Sequence, residues 1–268
     1  MRTTALLRLG LPMLCWLLIL AGCAGKHPKT LPLGPAEEQA AHALWSGFLT
    51  KKQPQALDAD IRLGWDVLGS KGGMAATVQV QQPAHLRFAA NDPLGRPLVL
   101  VVADARSFTM VDNRTGHVTR GRIGSKFWRS YVPESVNPEE LLSFLGGFLQ
   151  DGALQVKPEQ DEENKGFWYQ WRDKRDLRHA VLLDKDSGTM GQRLLFDAKD
   201  ELILEMRYGG YRKDATSGYI WPGQLHITGK AVTGSLTIQI EKIYSHTSQG
   251  AAAFRLSPPS HFTVEEVP

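Results

Sequence analysis

The sequence predicts a mainly β domain built on one large antiparallel sheet, curled or partly closed, with helical insertions. Three observations carry this prediction. From Ile61 onward apolar residues recur with a period of two, the signature of strands with one face buried. Short clusters rich in Gly, Asn, Asp and Pro separate the periodic runs, so consecutive strands are joined by tight turns and pair antiparallel. The 268 residues contain two cysteines, Cys15 and Cys23, both near the N-terminus, so no disulfide is available to the domain and its core must hold it.

The first 22 residues read as an export signal. Arg2 and Arg8 supply positive charge, Leu11 to Leu20 form an apolar run too short to span a bilayer, and the small residues Ala21 and Gly22 precede Cys23. Large-small-small-Cys directly after the apolar run is the pattern of a lipid attachment site, so Cys23 is the expected acylated residue. The residue after it is Ala24 rather than Asp, which under the usual Gram-negative sorting rule directs the anchored chain to the outer membrane, facing the periplasm. Residues 23–35 contain three prolines and no apolar period, and are expected to form a lipidated, flexible tether.

The domain is expected over residues 36–256. Its first helix begins at Pro35, with Glu37 and Glu38 near the positive end of the helix dipole, and runs to Lys52. Leu44, Trp45, Phe48 and Leu49 give it one apolar side. The strands expected after Ile61 include 76–80, 86–90, 98–102, 107–112, 117–122, 167–172, 179–184, 192–197, 202–208, 224–228 and 235–244, roughly eleven or twelve in all. Lys71-Gly72-Gly73, Gln82-Pro83, Asp112 to Gly116, Asp186-Ser187-Gly188 and Ala198-Lys199-Asp200 supply turns between them.

One helix interrupts the strands. Asn137-Pro138-Glu139-Glu140 is a cap, a first-turn proline and two acids suited to the dipole, and Leu141, Leu142, Phe144, Leu145, Phe148 and Leu149 follow. These cover more of the circumference than one packing stripe requires, while Gly146-Gly147 weakens the helix end. Such a helix needs cover on several sides. A plug packed permanently into the sheet and a lid that can move both satisfy that need. Residues 257–268, with Pro258-Pro259, are expected to form an irregular tail.

Composition and motifs exclude several functions. Removing Arg2 and Arg8 with the signal from the 31 basic residues leaves 29 against 28 acidic ones, a balance that gives no argument for nucleic acid as a partner. No serine has glycines at both flanking nucleophile-elbow positions, no His-Glu-x-x-His or cysteine pair suits zinc, and no Gly-rich loop with Lys-Ser/Thr is present for phosphate. The eight histidines are scattered, and His85, His117, His179 and His226 fall on strands where a solvent-facing or capped imidazole is the ordinary role. The chain is therefore expected to be no enzyme and to need no cofactor or metal.

Asn91-Asp92-Pro93-Leu94-Gly95-Arg96 is a tight loop with one bulky apolar residue at its tip. Further on come Arg207-Tyr208-Gly209-Gly210-Tyr211 and Trp221-Pro222-Gly223-Gln224-Leu225-His226-Ile227, then alternating Leu236, Ile238 and Ile240. In this order, and with the lipidation signal, the chain resembles LolB, the outer-membrane lipoprotein receptors of the LolA/LolB superfamily, over about residues 61–244. It differs in carrying Asp92 inside the loop, in having Phe144-Leu145-Gly146 where the family's central helix usually has a tryptophan, and in a longer basic, aromatic stretch from Arg120 to Tyr131.

The resemblance implies an incomplete antiparallel β-barrel covered by helices, whose apolar cavity accepts acyl chains of lipoproteins from a LolA-like periplasmic carrier and delivers them to the outer membrane lipid. It implies that Leu94 is exposed and touches the bilayer. Each acyl methylene left in water costs about 0.8 kcal/mol, so an aqueous handover needs an enclosed apolar pocket. From one-sided strand patterns and the helix, the expected cavity lining is Phe88, Leu98, Leu100, Phe108, Met110, Phe144, Leu145, Phe148, Leu204, Met206 and Ile238. The Lys126-Phe127-Trp128-Arg129-Ser130-Tyr131 cluster suits lipid headgroups or an acidic partner rim, and equally a solvated strand edge. The expected protein is a monomer. Binding of another amphiphile such as a glycolipid, and a structural role in an envelope assembly complex, are the alternatives.

Overall fold

A computed structural model describes residues 27–67, 69–150, 156–215 and 217–268. The signal segment 1–22 and Cys23 lie outside these residues. The order along the chain is β1 (Thr30–Leu31), α1 (Pro35–Leu49), β2 (Ala56–Val67), β3 (Ser70–Gln81), β4 (His85–Asn91), β5 (Pro97–Ala103), β6 (Ser107–Asp112) and β7 (His117–Arg122). Then come α2 (Lys126–Arg129), a 3-10 turn at Pro138–Glu140 and α3 (Leu141–Gly146). The second run of strands is β8 (Lys157–Asp161), β9 (Gly166–Arg172), β10 (Arg178–Asp184), β11 (Met190–Phe196), β12 (Leu202–Gly209), β13 (Arg212–Lys213), β14 (Ile220–Trp221), β15 (Gln224–Gly229) and β16 (Gly234–Ser245). A 3-10 turn at Ala251–Phe254 and β17 (Thr263–Val267) complete it.

Among the described residues fifteen strands form one sheet in the order β1-β8-β9-β10-β11-β12-β15-β16-β2-β3-β4-β5-β6-β7-β17, and β13 and β14 pair separately. Every pairing in the large sheet is antiparallel except β17 with β7. Two meanders meet where the 12-residue strands β16 and β2 run side by side. This connectivity has a mechanical consequence. β7 lies near one edge of the sheet and β8 near the other, and the described residues 123–150 that follow β7 lie over one face between them. α1 likewise leads from the edge strand β1 to the central strand β2.

Both crossings cover the same face. The 3-10 turn at Pro138–Glu140 packs beside β4, while its Glu140 reaches Arg193 on β11. Those two strands are six places apart in the sheet, which is about 29 Å if the sheet were flat. The sheet therefore curls around the insertion, as an incomplete barrel. Its inner face reads Leu57, Ala59 and Ile61 on β2, Ala76, Val78 and Val80 on β3, Tyr169 on β9, Val181 and Leu183 on β10, Leu204 and Met206 on β12, and Leu225 on β15, all buried in one cluster with both helices.

The outer face is covered at two places, by the first described residues and by the C-terminal segment. Arg87 Nη1 donates to the Ala253 carbonyl at 2.9 Å, His85 lies against Phe254, and Thr263 N–H donates to Gly116 at 3.0 Å as β17 begins. Under this segment Val111 and Val118 are buried. At the other half, His27 stacks on Phe196 with ring centroids 5.4 Å apart, and the Arg178 guanidinium lies 3.7 Å from the centre of the same ring. Trp168, Ala180, Leu182, Leu194 and Phe196 form a separate outer cluster there.

Several elements depart from the sequence expectation. α1 ends at Leu49 rather than Lys52, because Lys51 turns away to donate to the Gly188 carbonyl at 2.7 Å. The central helix divides into a 3-10 turn and α3, and it stops where Gly147 takes a left-handed conformation, φ 64°, as its C-cap. The 126–131 stretch is no strand edge. Ser125 caps a short helix by accepting from Trp128 N–H at 3.2 Å, and Trp128 packs on Phe108 at 5.2 Å. Residues 23–35 are not wholly a free tether, since Thr30 and Leu31 pair with Asp161 and Gln160.

Besides the two-residue strands β1, β13 and β14, two strands of five residues lacked a sequence signal. β8 reads Lys-Pro-Glu-Gln-Asp, poor in β-forming residues, and becomes a strand because β1 and β9 flank it. β17 lies within the tail expected to be irregular, and its parallel partner β7 is far away in sequence. Among the described residues no helix is long and apolar enough to cross a membrane.

Trp45 joins α1 to the sheet by stacking on Tyr169 at 4.5 Å, and is 4 % exposed. Trp45→Ala is expected to lower stability by about 3–5 kcal/mol through the cavity it leaves, seen as a lower urea midpoint. A loss under about 1 kcal/mol would show that α1 is not anchored through this ring.

Candidate functional site

The candidate site is the inner face of the curled sheet together with the two helical segments that cover it. α1 covers the half formed by β9–β11. Beyond the Trp45–Tyr169 stack, the Tyr169 hydroxyl donates to the Ala41 carbonyl at 2.8 Å, and burial pushes its pKa upward. α3 brings Leu142 and Phe144 into the same cluster, and the residues after its cap add Phe148 and Leu149. Its exit is held by Gln53 Nε2 donating to the Leu149 carbonyl at 2.5 Å. Tyr211, packed next to Gly147, donates to the Met190 carbonyl at 2.7 Å.

The entry to α3 is held by polar groups. Arg193 points inward from β11 and is 2 % exposed, with its guanidinium 4.2 Å from the centre of the Phe144 ring. Its Nη2 lies 3.4 Å from the Glu140 carboxylate and 3.5 Å from His179 Nδ1. Arg175, from the β9–β10 turn, pairs with Glu140 at 3.2 Å and with Asp173 at 2.9 Å. His179 Nε2 sits 3.2 Å from Asp173, and its ring stacks on Trp171 at 4.9 Å. With Arg193 donating to Nδ1, the neutral ring carries its hydrogen on Nε2 and donates it to Asp173. Burial works against the Asp173 carboxylate, but hydrogen bonds from His179 and from the turn hold its pKa below the usual range.

The cover is incomplete at one end. The β2–β3, β4–β5 and β15–β16 turns share that end of the sheet. There, on the same face as Ile61 and Ala76, the paired residues Leu63 with Met74, Ile238 with Leu63 and Leu236 with Trp65 are only half-buried. The Trp65 ring lies so close over Gly72 that a Cβ there would meet it at 2.5 Å. Leu94, at the tip of the β4–β5 turn at this same end, is 78 % exposed. Asp92 fixes the turn by accepting from Leu94 N–H at 2.8 Å and from Arg96 N–H at 2.9 Å. At the opposite end a cavity of about 400 Å³ opens between the end of α1 and β14, lined by Phe48, Gln53, Phe148, Tyr211, Tyr219 and Trp221.

The structure distributes the sequence-predicted lining over three places. Phe144, Phe148, Leu204 and Met206 are buried in the central cluster, and Phe88, Leu145 and Ile238 are half-buried against it. Phe108 and Met110 lie on the inner face but belong to a smaller cluster closed by Trp128. Leu98 and Leu100 fall on the other face. Leu100 pairs with Ala89 and Val111, whereas Phe88, Val101 and Met110 occupy the inner row. Strand β5 is apolar on both sides, so its sequence did not reveal which parity faces inward.

The polar groups at the entry were not predicted. Of the two roles expected for a strand histidine, His179 takes the capped one, buried between Asp173 and Arg193, and Glu140 reaches a buried arginine besides standing at a helix start. The available signal was Arg193 inside Gln-Arg-Leu-Leu-Phe, a charge on the inward parity of a strand. The interior differs from the expected hollow as well. Beneath the helices it is packed, with Leu57 and Leu142 each 1 % exposed and Tyr169 and Leu183 at 0 %. Accessible apolar surface lies at the uncovered end and in the cavity between α1 and β14.

No family model and no curated protein sequence matches this chain. Solved structures do. A DUF1329 family protein from Desulfovibrio piger superposes with a TM-score of 0.55 at 12 % identity, covering 81 % of this chain and 97 % of that one. A LolA superfamily protein from Nitrosomonas europaea gives 0.51 at 10 % identity, with 81 % and 97 % covered. The fold is LolA-like. A domain assigned to outer membrane lipoprotein sorting, from Vibrio parahaemolyticus, gives 0.50 at 11 % identity, covering 81 % and 94 %. The LolA-like frame is thus shared over most of the chain, at identities where only the fold is common.

In this LolA-like domain His179 ties stability to pH. Burial first, and then the neighbouring Arg193, disfavour the imidazolium and lower its pKa to about 4, with the Asp173 hydrogen bond offsetting only part. The unfolded ring takes up its proton near 6.5, so between those values the unfolded chain binds more protons and stability falls as the pH drops. His179→Gln is expected to remove this part of the loss, at most about 3 kcal/mol. Urea unfolding of both proteins at about pH 7 and about pH 4.5 measures it. An identical pH dependence in the variant would contradict it.

Proposed function

We propose that the protein is a lipid-anchored, non-enzymatic acceptor that shelters acyl chains of lipoproteins on its inner face and releases them into the outer membrane. The acylated residue is Cys23, and the donor is a soluble periplasmic carrier of LolA-like fold. One observation carries this reading: the inner face continues as half-buried apolar surface beyond the helices, at the end of the sheet that presents Leu94. Burying a methylene there returns about 0.8 kcal/mol, which is the driving force a handover without nucleotide requires. The covering insertion enters α3 through ion pairs and hydrogen bonds, contacts that exchange with water more readily than a buried apolar seam.

A second reading is favoured by the filled region under α1 and α3. If those helices never leave, the domain is a scaffold of an envelope assembly and its open end meets a protein. Native mass spectrometry of the whole chain, extracted from membranes in mild detergent, separates the two. Noncovalently bound acyl species, whether lipoprotein or glycolipid, support the shelter and name its cargo. A protein that emerges with no such species supports the scaffold.

The β4–β5 tip offers a sharper test of delivery. Leu94→Glu is expected to leave the melting temperature unchanged, since the side chain is exposed, and to leave cargo acceptance intact. Transfer of cargo into liposomes should fall about tenfold or more, because a carboxylate does not enter the apolar layer. Undiminished transfer by the variant would refute a membrane role for this tip.

A further inference from the structure

We infer that the cavity beside the entry of α3 is a phosphate-binding site, which Glu140 fills internally in this conformation. The cavity measures about 510 Å³, and Arg172, Lys174, Arg175 and Arg193 line it together with the carboxylates of Glu139, Glu140 and Asp173. Arg172 is engaged elsewhere, with Asp176 at 3.3 Å and Asp200 at 2.9 Å. The other three cations converge from β11 and from the β9–β10 turn.

Arg193 is the observation that asks for a ligand. It is 2 % exposed, yet its Nε and Nη1 have no hydrogen-bond partner among the described residues. Its contact with Glu140, at 3.4 Å, is longer than the 2.7–2.9 Å or so of a good charge-assisted bond. A buried guanidinium with unused donors is costly, and an oxyanion is what satisfies it. Glu140 lies between two arginines, Arg175 at 3.2 Å and Arg193 at 3.4 Å, and reaches neither closely. One carboxylate has two oxygens to offer. A phosphate has more, arranged tetrahedrally, and can accept from Arg175 and Arg193 at once while Lys174 adds charge at the mouth. The recognised group is a phosphate, either free or borne on a phospholipid headgroup. This site stands apart from the acyl-chain reading, and its test uses no cargo.

The test is a calorimetric titration of the whole chain in non-ionic detergent. One arm uses inorganic phosphate, and the other uses sn-glycero-3-phosphoglycerol, a phospholipid headgroup without its chains. Saturable binding that weakens with added salt is expected, and the tighter arm identifies the source of the phosphate. Glu140→Gln is expected to bind at least about tenfold tighter, because the internal competitor loses its charge, and Arg175→Gln about tenfold weaker. Arg175 lies on a turn, so its replacement tests the site without disturbing the core. Absence of saturable binding in both arms, for the native chain and Glu140→Gln alike, overturns the proposal. So does a Glu140→Gln protein that binds no tighter than the native one.

Discussion

A single sheet of fifteen strands cannot bury its own inner face, and the architecture follows from that constraint. Sheets of this width either close, stack or curl around something. Here the cover comes from the chain's own connections: the crossing from β7 to β8 and the lead from β1 to β2 both pass over the same side. Because the insertion must touch β4 and β11 together, it sets the curvature that brings the two meanders to face one another.

The two covers are attached differently, and the difference matters for function. α1 is fixed by aromatic stacking, with Trp45 pressed on Tyr169 and a hydroxyl tying it to the sheet. α3 is short, ends at a left-handed glycine, and is entered through Glu140, Arg193, Arg175, His179 and Asp173. Such a network is sensitive to protonation and to competing ions, whereas the Trp45 seam is sensitive to neither. The fold thus joins a permanent wall to a segment whose attachment other charges can contest.

Much of the fold was legible in the residues. Alternation along β3, β4 and β16 marked strands because each turns one apolar row inward, and Asn137-Pro138 marked the start of the insertion through the first-turn proline, although the Asn137 side chain makes no capping hydrogen bond. β8 and β17 were not legible, since both are strands by virtue of neighbours rather than of their own side chains. The site was legible in part. Leu94 stood out as a bulky residue in a turn. Leu98 and Leu100 pointed the wrong way, because a strand apolar on both sides hides its parity. The Glu140–Arg193 contact joins residues far apart in sequence, and nothing near either one announces the other.

The sequence by itself determined which residues alternate, where turns and caps fall, and that an apolar insertion would need shelter, because these depend on neighbours a few residues away. Only the tertiary structure decided which face each strand turns inward, how far the sheet curls, and which charges meet beneath the insertion. Those outcomes depend on strand order and on the path of two crossing segments, and long-range packing, not local pattern, fixes both.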